Sequence, residues 1–75
     1  MIHEISSKIQ TAEKNKQKLA MFHYQVLVNA KELRELDPVQ FCIDIGVPES
    51  YAAEFRKMRS LSNLMDELGT TISIV

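Results

Sequence analysis

The segment Asp37–Phe55, DPVQFCIDIGVPESYAAEF, constrains the fold of this chain more than any other feature. Asp37 can accept a hydrogen bond from an unpaired N–H group at the start of a helix. Pro38 suits the first helical position, because it has no N–H group that needs a partner there. Gln40 can reach back to the N–H group of Asp37 and complete a capping box. The sequence therefore predicts a short helix over residues 38–46.

A turn centred on glycine follows this helix. Gly46 can enter the left-handed conformation at the end of a helix without the steric penalty that a Cβ atom brings. Pro48 is predicted to open the next helix at its first position, and Glu49 suits the positive end of that helix's dipole. We expect this second helix to run to residue 68, where Gly69 ends it. A short helix, a tight turn and a second helix form the layout of a helix-turn-helix unit.

The segment resembles the helix-turn-helix of phage repressors and related bacterial regulators, over residues 37–58. The residues that carry the resemblance are Phe41, Cys42, Ile45, Gly46 and Val47, followed by Ala52 and Phe55 on the second helix. The resemblance implies that DNA would meet the side chains of Ser50, Tyr51, Ala53, Glu54 and Lys57. Arg56 and Arg59 add positive charge beside them. An ordinary helix–turn–helix corner in a small bundle is the alternative interpretation.

The N-terminal third predicts a helical segment of a different kind. Residues 2–36 contain no glycine or proline, and their apolar residues recur three and four positions apart. This spacing favours one long helix. The alternative is two helices with a break near Lys14–Lys18, where the sequence is polar.

The first apolar residues of this segment predict a homodimer. We expect the helix around Met58–Leu68 and the face of Leu19–Leu36 to cover each other. Ile2, Ile5 and Ile9 are then left without cover from their own chain, and a second copy would supply it. Residues 69–75 are predicted to form a short extended tail, because TTISIV is rich in β-branched residues. That tail could pair across a dimer, pack as an arm or remain disordered.

Length and composition limit the remaining choices. Seventy-five residues make one small domain, which we expect to be all-α and helical through Leu68, with breaks at residues 37–38 and 46–48. A single cysteine excludes an intramolecular disulfide, and His3, His23 and Cys42 do not have the spacing of a zinc site. No phosphate-binding loop or nucleophile motif is present. The sequence therefore predicts neither an enzyme nor a bound cofactor.

The location is predicted to be cytoplasmic. The start of the chain lacks the basic and apolar regions of a signal peptide, and Leu19–Ala30 is too short and too polar to span a membrane. A reduced thiol at the one cysteine agrees with that location.

Two functional hypotheses from different classes follow. The first is a small, non-catalytic, dimeric DNA-binding regulator. The second is a helical protein–protein interaction module or inhibitor that does not bind DNA. The net charge of −1, from nine basic and ten acidic residues, counts against the first hypothesis, because phosphate neutralisation supplies much of the affinity for DNA.

Overall fold

The computed structural model describes residues 1–70, which contain five helices. They are α1 (Ile2–Lys14), α2 (Lys18–Val28), α3 (Ala30–Leu33), α4 (Pro38–Ile45) and α5 (Tyr51–Glu67). No residue in this range lies in a β-strand. The predicted all-α fold is therefore confirmed, and so are the predicted breaks before α4 and α5. From residue 71 onward, the predicted extended tail lies outside the described residues.

The N-terminal segment forms separate helices rather than one long helix, so the predicted alternative break near Lys14–Lys18 is confirmed. The N–H group of Lys16 donates to the carbonyl of Glu13, and that of Gln17 donates to the carbonyl of Ala12. This pair of bonds is a Schellman motif, with Lys16 in the left-handed conformation at φ +58°. Residues other than glycine rarely adopt this conformation. The turn lets α2 fold back and pack against α1.

Helix α4 is held at both of its ends. The carboxylate of Asp37 accepts a hydrogen bond from the N–H group of Gln40 at 2.9 Å, as predicted for an N-cap. The second half of the predicted capping box is wrong. The side chain of Gln40 does not reach back to the N–H group of Asp37, and its amide donates to Asp44 instead. At the other end, the hydroxyl of Ser6 in α1 donates to the carbonyl of Ile45 at 3.0 Å. This last bond ties α4 to the N-terminal helix.

Three phenylalanines from three helices meet at the centre of the core. Phe22 of α2 lies 6.2 Å from Phe41 of α4, and Phe41 lies 5.1 Å from Phe55 of α5, measured between ring centroids. All three side chains are fully buried. Aromatic contacts of this kind stabilise a core beyond the area that they bury. They fix α2, α4 and α5 around a common centre.

Helix α1 completes that core, which corrects one argument made from the sequence. Ile5 and Ile9 are 2% and 1% exposed and belong to the same buried cluster as the phenylalanines, and Ile2 packs against its edge. The expectation that no element of the chain covers these residues is wrong, because α1 packs against both α2 and α4. Ile5 and Ile9 are therefore not available to a second copy in this fold.

The second half of α5 is also placed differently from the expectation. Leu61, Leu64 and Leu68 are 39%, 48% and 70% exposed, and we refer to these three residues as the leucine stripe. They were expected to pack against the face of Leu19–Leu36, yet Leu19 is exposed as well. Only the first part of α5, with Ala52 and Phe55, enters the core. The distal half of α5 therefore carries apolar residues on a face that residues 1–70 leave uncovered.

Candidate functional site

The turn between α4 and α5 has the geometry that the sequence predicts at Gly46. This residue adopts the left-handed conformation, with φ at 78°. Its N–H group donates to the carbonyl of Ile43, and the next N–H group, that of Val47, donates to the carbonyl of Cys42. These two bonds end α4 in a second Schellman motif. Val47 is buried, so the turn is anchored to the core.

Helix α5 begins later than expected. Pro48 was predicted at its first position, but α5 starts at Tyr51 with Ser50 as the N-cap. The carbonyls of Pro48 and Glu49 accept bonds from the N–H groups three residues ahead, those of Tyr51 and Ala52. Such tight bonds commonly precede the regular part of a helix. Pro48 therefore belongs to a turn that leads into α5.

Small residues bring α5 close to α4. Cys42 is completely buried, and Ala52 is nearly so. Burial raises the pKa of the Cys42 thiol, and the nearby charge of Glu49 adds to this effect. A buried thiol with a raised pKa packs as an inert apolar group. The contact between the two helices thus fixes how α5 presents its outer face.

Four of the candidate contact residues lie exposed on the outer face of α5. They are Ser50, Ala53, Arg56 and Lys57. We refer to these four residues as the outer face of α5. They occupy the N-cap and the first two turns of α5, which is the part of the second helix that enters the major groove in helix-turn-helix proteins.

Glu54 lies between this face and α2, and its carboxylate has a partner on each side. Its carboxylate accepts a hydrogen bond from Lys57 at 2.9 Å, and its other oxygen lies 2.8 Å from the Nε2 atom of His23. The hydrogen bond from Lys57 and then the bond to His23 lower the pKa of Glu54. The negative charge that Glu54 would bring to a DNA contact is therefore partly neutralised by Lys57 within the fold.

Two other candidates are engaged in internal contacts. The ring of Tyr51 meets the edge of Phe22 at 5.1 Å between centroids, and the ammonium group of Lys18 lies over it. The guanidinium of Arg59 donates to the carbonyls of Arg34 and Leu36. It also lies 5.2 Å from the ring centre of Phe55. Arg59 therefore points toward the segment after α3 and away from the outer face of α5.

Sequence reasoning missed the contact between His23 and Glu54. These residues lie 31 positions apart, on α2 and α5. The only local signal was a histidine that interrupts an apolar helical face, which indicates a partner without naming it. Sequence reasoning also counted Arg59 as a surface cation, because nothing local shows that the carbonyls of residues 34 and 36 lie beside it.

Two further observations concern residues 1–70. No group of three or more histidine, cysteine, aspartate or glutamate residues lies close enough to hold a metal ion. No helix in that range is both long enough and apolar enough to cross a membrane.

Comparison with known proteins identifies a family for this chain. The sequence matches the family described as HTH-like domain over residues 1–67, well beyond the segment that carried the resemblance. No curated protein and no solved structure matches this chain. The match supports a helix-turn-helix domain in general, and the narrower likeness to phage repressors stays a prediction. The chain belongs to the HTH-like domain family.

Proposed function

We propose that this protein is a non-catalytic, cytoplasmic, DNA-binding regulator that docks through the first half of α5. A helix-turn-helix domain fits such a role in general. The observation that carries the proposal is the outer face of α5. There, Ser50, Ala53, Arg56 and Lys57 are exposed, and the carboxylate of the neighbouring Glu54 is in contact with Lys57 and His23.

Each side chain of the outer face has a distinct part in the proposed contact. The small side chain of Ala53 lets the backbone of α5 approach the floor of the groove or the methyl group of thymine. The hydroxyl of Ser50 can donate to a base edge or a phosphate. Arg56 can bind guanine or phosphate with two hydrogen bonds, and Lys57 can bind phosphate as a point charge.

The charge of the protein sets the expected strength of binding. The net charge is −1, and few cations lie on the outer face of α5. The logarithm of the binding constant falls with the logarithm of salt concentration by about 0.9 for each neutralised phosphate. With Arg56 and Lys57 as the phosphate-binding pair, we expect a shallow slope of about −2. Specific contacts must then supply more of the affinity than charge does.

Fluorescence anisotropy with a labelled random duplex over a salt series tests the proposal. The wild-type protein should bind at low salt with this shallow slope. The double substitution Arg56→Ala and Lys57→Ala should remove the binding, whereas Lys8→Ala with Lys31→Ala, which removes two cations from α1 and α3, should leave it nearly unchanged. No binding by the wild-type protein at low salt would refute the proposal. Equal losses in the two double variants would refute the assignment to α5.

The second candidate function is a protein-interaction module, and the leucine stripe favours it. Exposed apolar residues at helical spacing often mark a surface that meets another protein. This candidate predicts no retention of the wild-type protein on heparin at low salt. The DNA-binding candidate predicts retention that salt reverses.

A further inference from the structure

The leucine stripe is an apolar face without cover in the described residues. Leu61, Leu64 and Leu68 are separated by three and four positions, and Lys57 precedes them by four. This is the spacing of the seam along which two helices pair. All four residues are exposed and lie on α5 or its C-cap. The other side of this half of α5 meets the segment between α2 and α4, where Asp66 lies 3.8 Å from Arg34. The seam is therefore presented to the outside of the protein.

The charged residues beside the stripe would complement each other in a symmetric pair of α5 helices. Arg56 and Glu67 lie eleven positions apart, which is about three helical turns and places them on the same flank of α5. Both are exposed, and neither has an ion-pair partner within residues 1–70. If two copies of α5 run antiparallel, the Arg56 side chain of each copy lies beside the Glu67 side chain of the other. A parallel arrangement would bring like charges together.

We propose that the leucine stripe pairs with the leucine stripe of a second copy of this chain, in an antiparallel, two-fold symmetric contact. Leu61 of each copy lies opposite Leu64 of the other, and Leu68 lies along the aliphatic part of Lys57, whose ammonium group stays outside the seam. In the absence of DNA, Arg56 of each copy pairs with Glu67 of the other, and a DNA phosphate would replace Glu67 as its partner. The homodimer expected from the sequence is thereby assigned to α5 instead of to Ile2, Ile5 and Ile9. The same surface is used on both subunits, as an isologous contact requires.

The geometry of this dimer adds to the proposed function. This addition rests on the proposal that the protein binds DNA. The two-fold axis passes midway between Leu61 and Leu64, about eleven residues from the centre of the segment Ser50–Ala53. At about 1.5 Å per residue, the two Ser50–Ala53 segments lie roughly 33 Å apart along the paired helices. Half-sites one turn of DNA apart have centres about 34–36 Å apart. The separation of the two Ser50–Ala53 segments is therefore close to one turn of DNA when the paired helices run along the DNA axis.

The size of the contact sets the concentration at which the dimer should form. A standard interface buries roughly 800 Å² on each partner. The stripe and its flanks occupy one side of half a helix, on a protein with 5031 Å² of accessible surface. The contact falls at the small end of the range, so we expect a dissociation constant in the micromolar range.

Sedimentation velocity of the full chain without DNA, at roughly 5–500 µM, tests the contact apart from DNA binding. The wild-type protein should shift from monomer to dimer over this range. The double substitution Leu61→Glu and Leu64→Glu should raise the dissociation constant by roughly tenfold or more, because it places like charges across the axis. Ile43→Glu is the matched control, since Ile43 is an exposed apolar residue on α4, and it should leave the dimer intact. Circular dichroism checks that each variant keeps its helices.

Charge reversal gives a second, independent test. Arg56→Glu and Glu67→Arg should each weaken the dimer, and the two changes together should restore it. The proposal is overturned if the wild-type protein is monomeric throughout, or if the leucine variant dimerises as well as the control. It is also overturned if the wild-type protein is monomeric and a chain ending at Thr70 dimerises, which would identify residues 71–75 as the cover. A dimer that does not bind DNA would refute only the proposed function, and a monomer that binds DNA would refute only this contact.

Discussion

The first helix and the second half of the last helix carry similar apolar patterns, but the apolar residues of the first are buried and those of the second are exposed. Ile5 and Ile9 on α1 are almost fully buried, whereas Leu61, Leu64 and Leu68 on α5 are substantially exposed. Both sets recur at helical spacing. The difference comes from the neighbours, because α1 is folded back onto α2 and α4, whereas the segment between α2 and α4 meets only the other side of α5, at Arg59 and Asp66. Periodicity identifies an apolar face, and the turns decide whether that face has a neighbour.

The largest expected effect contrasts the two regions directly. Ile9→Ala should lower the free energy of unfolding by about 2–5 kcal/mol, because it removes buried methyl groups and leaves a cavity. Leu64→Ala should change it by about 0.5 kcal/mol or less, as is usual for surface positions. Urea unfolding, followed by circular dichroism at one low protein concentration, measures both. Equal costs at the two positions would mean that the distal half of α5 is packed in the folded monomer.

The next effect concerns the turn that directs α5. Gly46 has φ at 78°, and a Cβ atom built there meets nothing within 4 Å. Gly46→Val should therefore destabilise the fold through backbone strain rather than through a clash, by about 1–2 kcal/mol. Gly46→Asn is a useful control, since asparagine tolerates this conformation better. If valine and asparagine cost the same, strain at this residue does not hold α5 in place.

A smaller effect is expected at the start of α4, the helix that helps to cover α1. Asp37→Ala removes the acceptor of the bond from the Gln40 N–H group and should cost about 1 kcal/mol. Asp37→Ser keeps an acceptor and should recover most of that loss. The midpoint of thermal unfolding reports both changes. A serine variant no more stable than the alanine variant would show that the cap contributes little.

Much of this fold follows from local signals in the sequence. Asp37, Pro38, Gly46 and Gly69 act through their own backbone or nearest neighbours, so the ends of α4 and α5 follow from the sequence to within a few residues. The burial of Ile5 and Ile9 depends instead on Lys16 adopting a left-handed conformation, which a lysine does not signal. The contacts of His23 with Glu54, and of Arg59 with residues 34 and 36, join distant positions. For that reason the outer face of α5 could be predicted only as a set of candidates.

The smallest expected effect concerns the carboxylate of Glu54, in the first half of α5. The bonds from Lys57 and His23 lower the pKa of Glu54 from its usual 4.5. A carboxyl group with a lowered pKa in the folded state adds stability above its unfolded pKa. That stability is lost as the pH falls through the lowered value. Glu54→Gln should therefore be slightly less stable than the wild-type protein at pH 7, and the difference should be smaller at about pH 3. Urea midpoints at the two pH values measure this, and a difference that persists undiminished at the lower pH would contradict it.

The most direct test of the proposed DNA contact is an NMR titration of the ¹⁵N-labelled protein with a duplex at low salt. Residues in the first half of α5 and the turn before it, from Pro48 to Lys57, should show the largest changes in amide chemical shift. The amides of the buried α1 face, around Ile5 and Ile9, should remain nearly unchanged. Large changes confined to Leu61–Leu68, or no changes at any residue, would contradict the account.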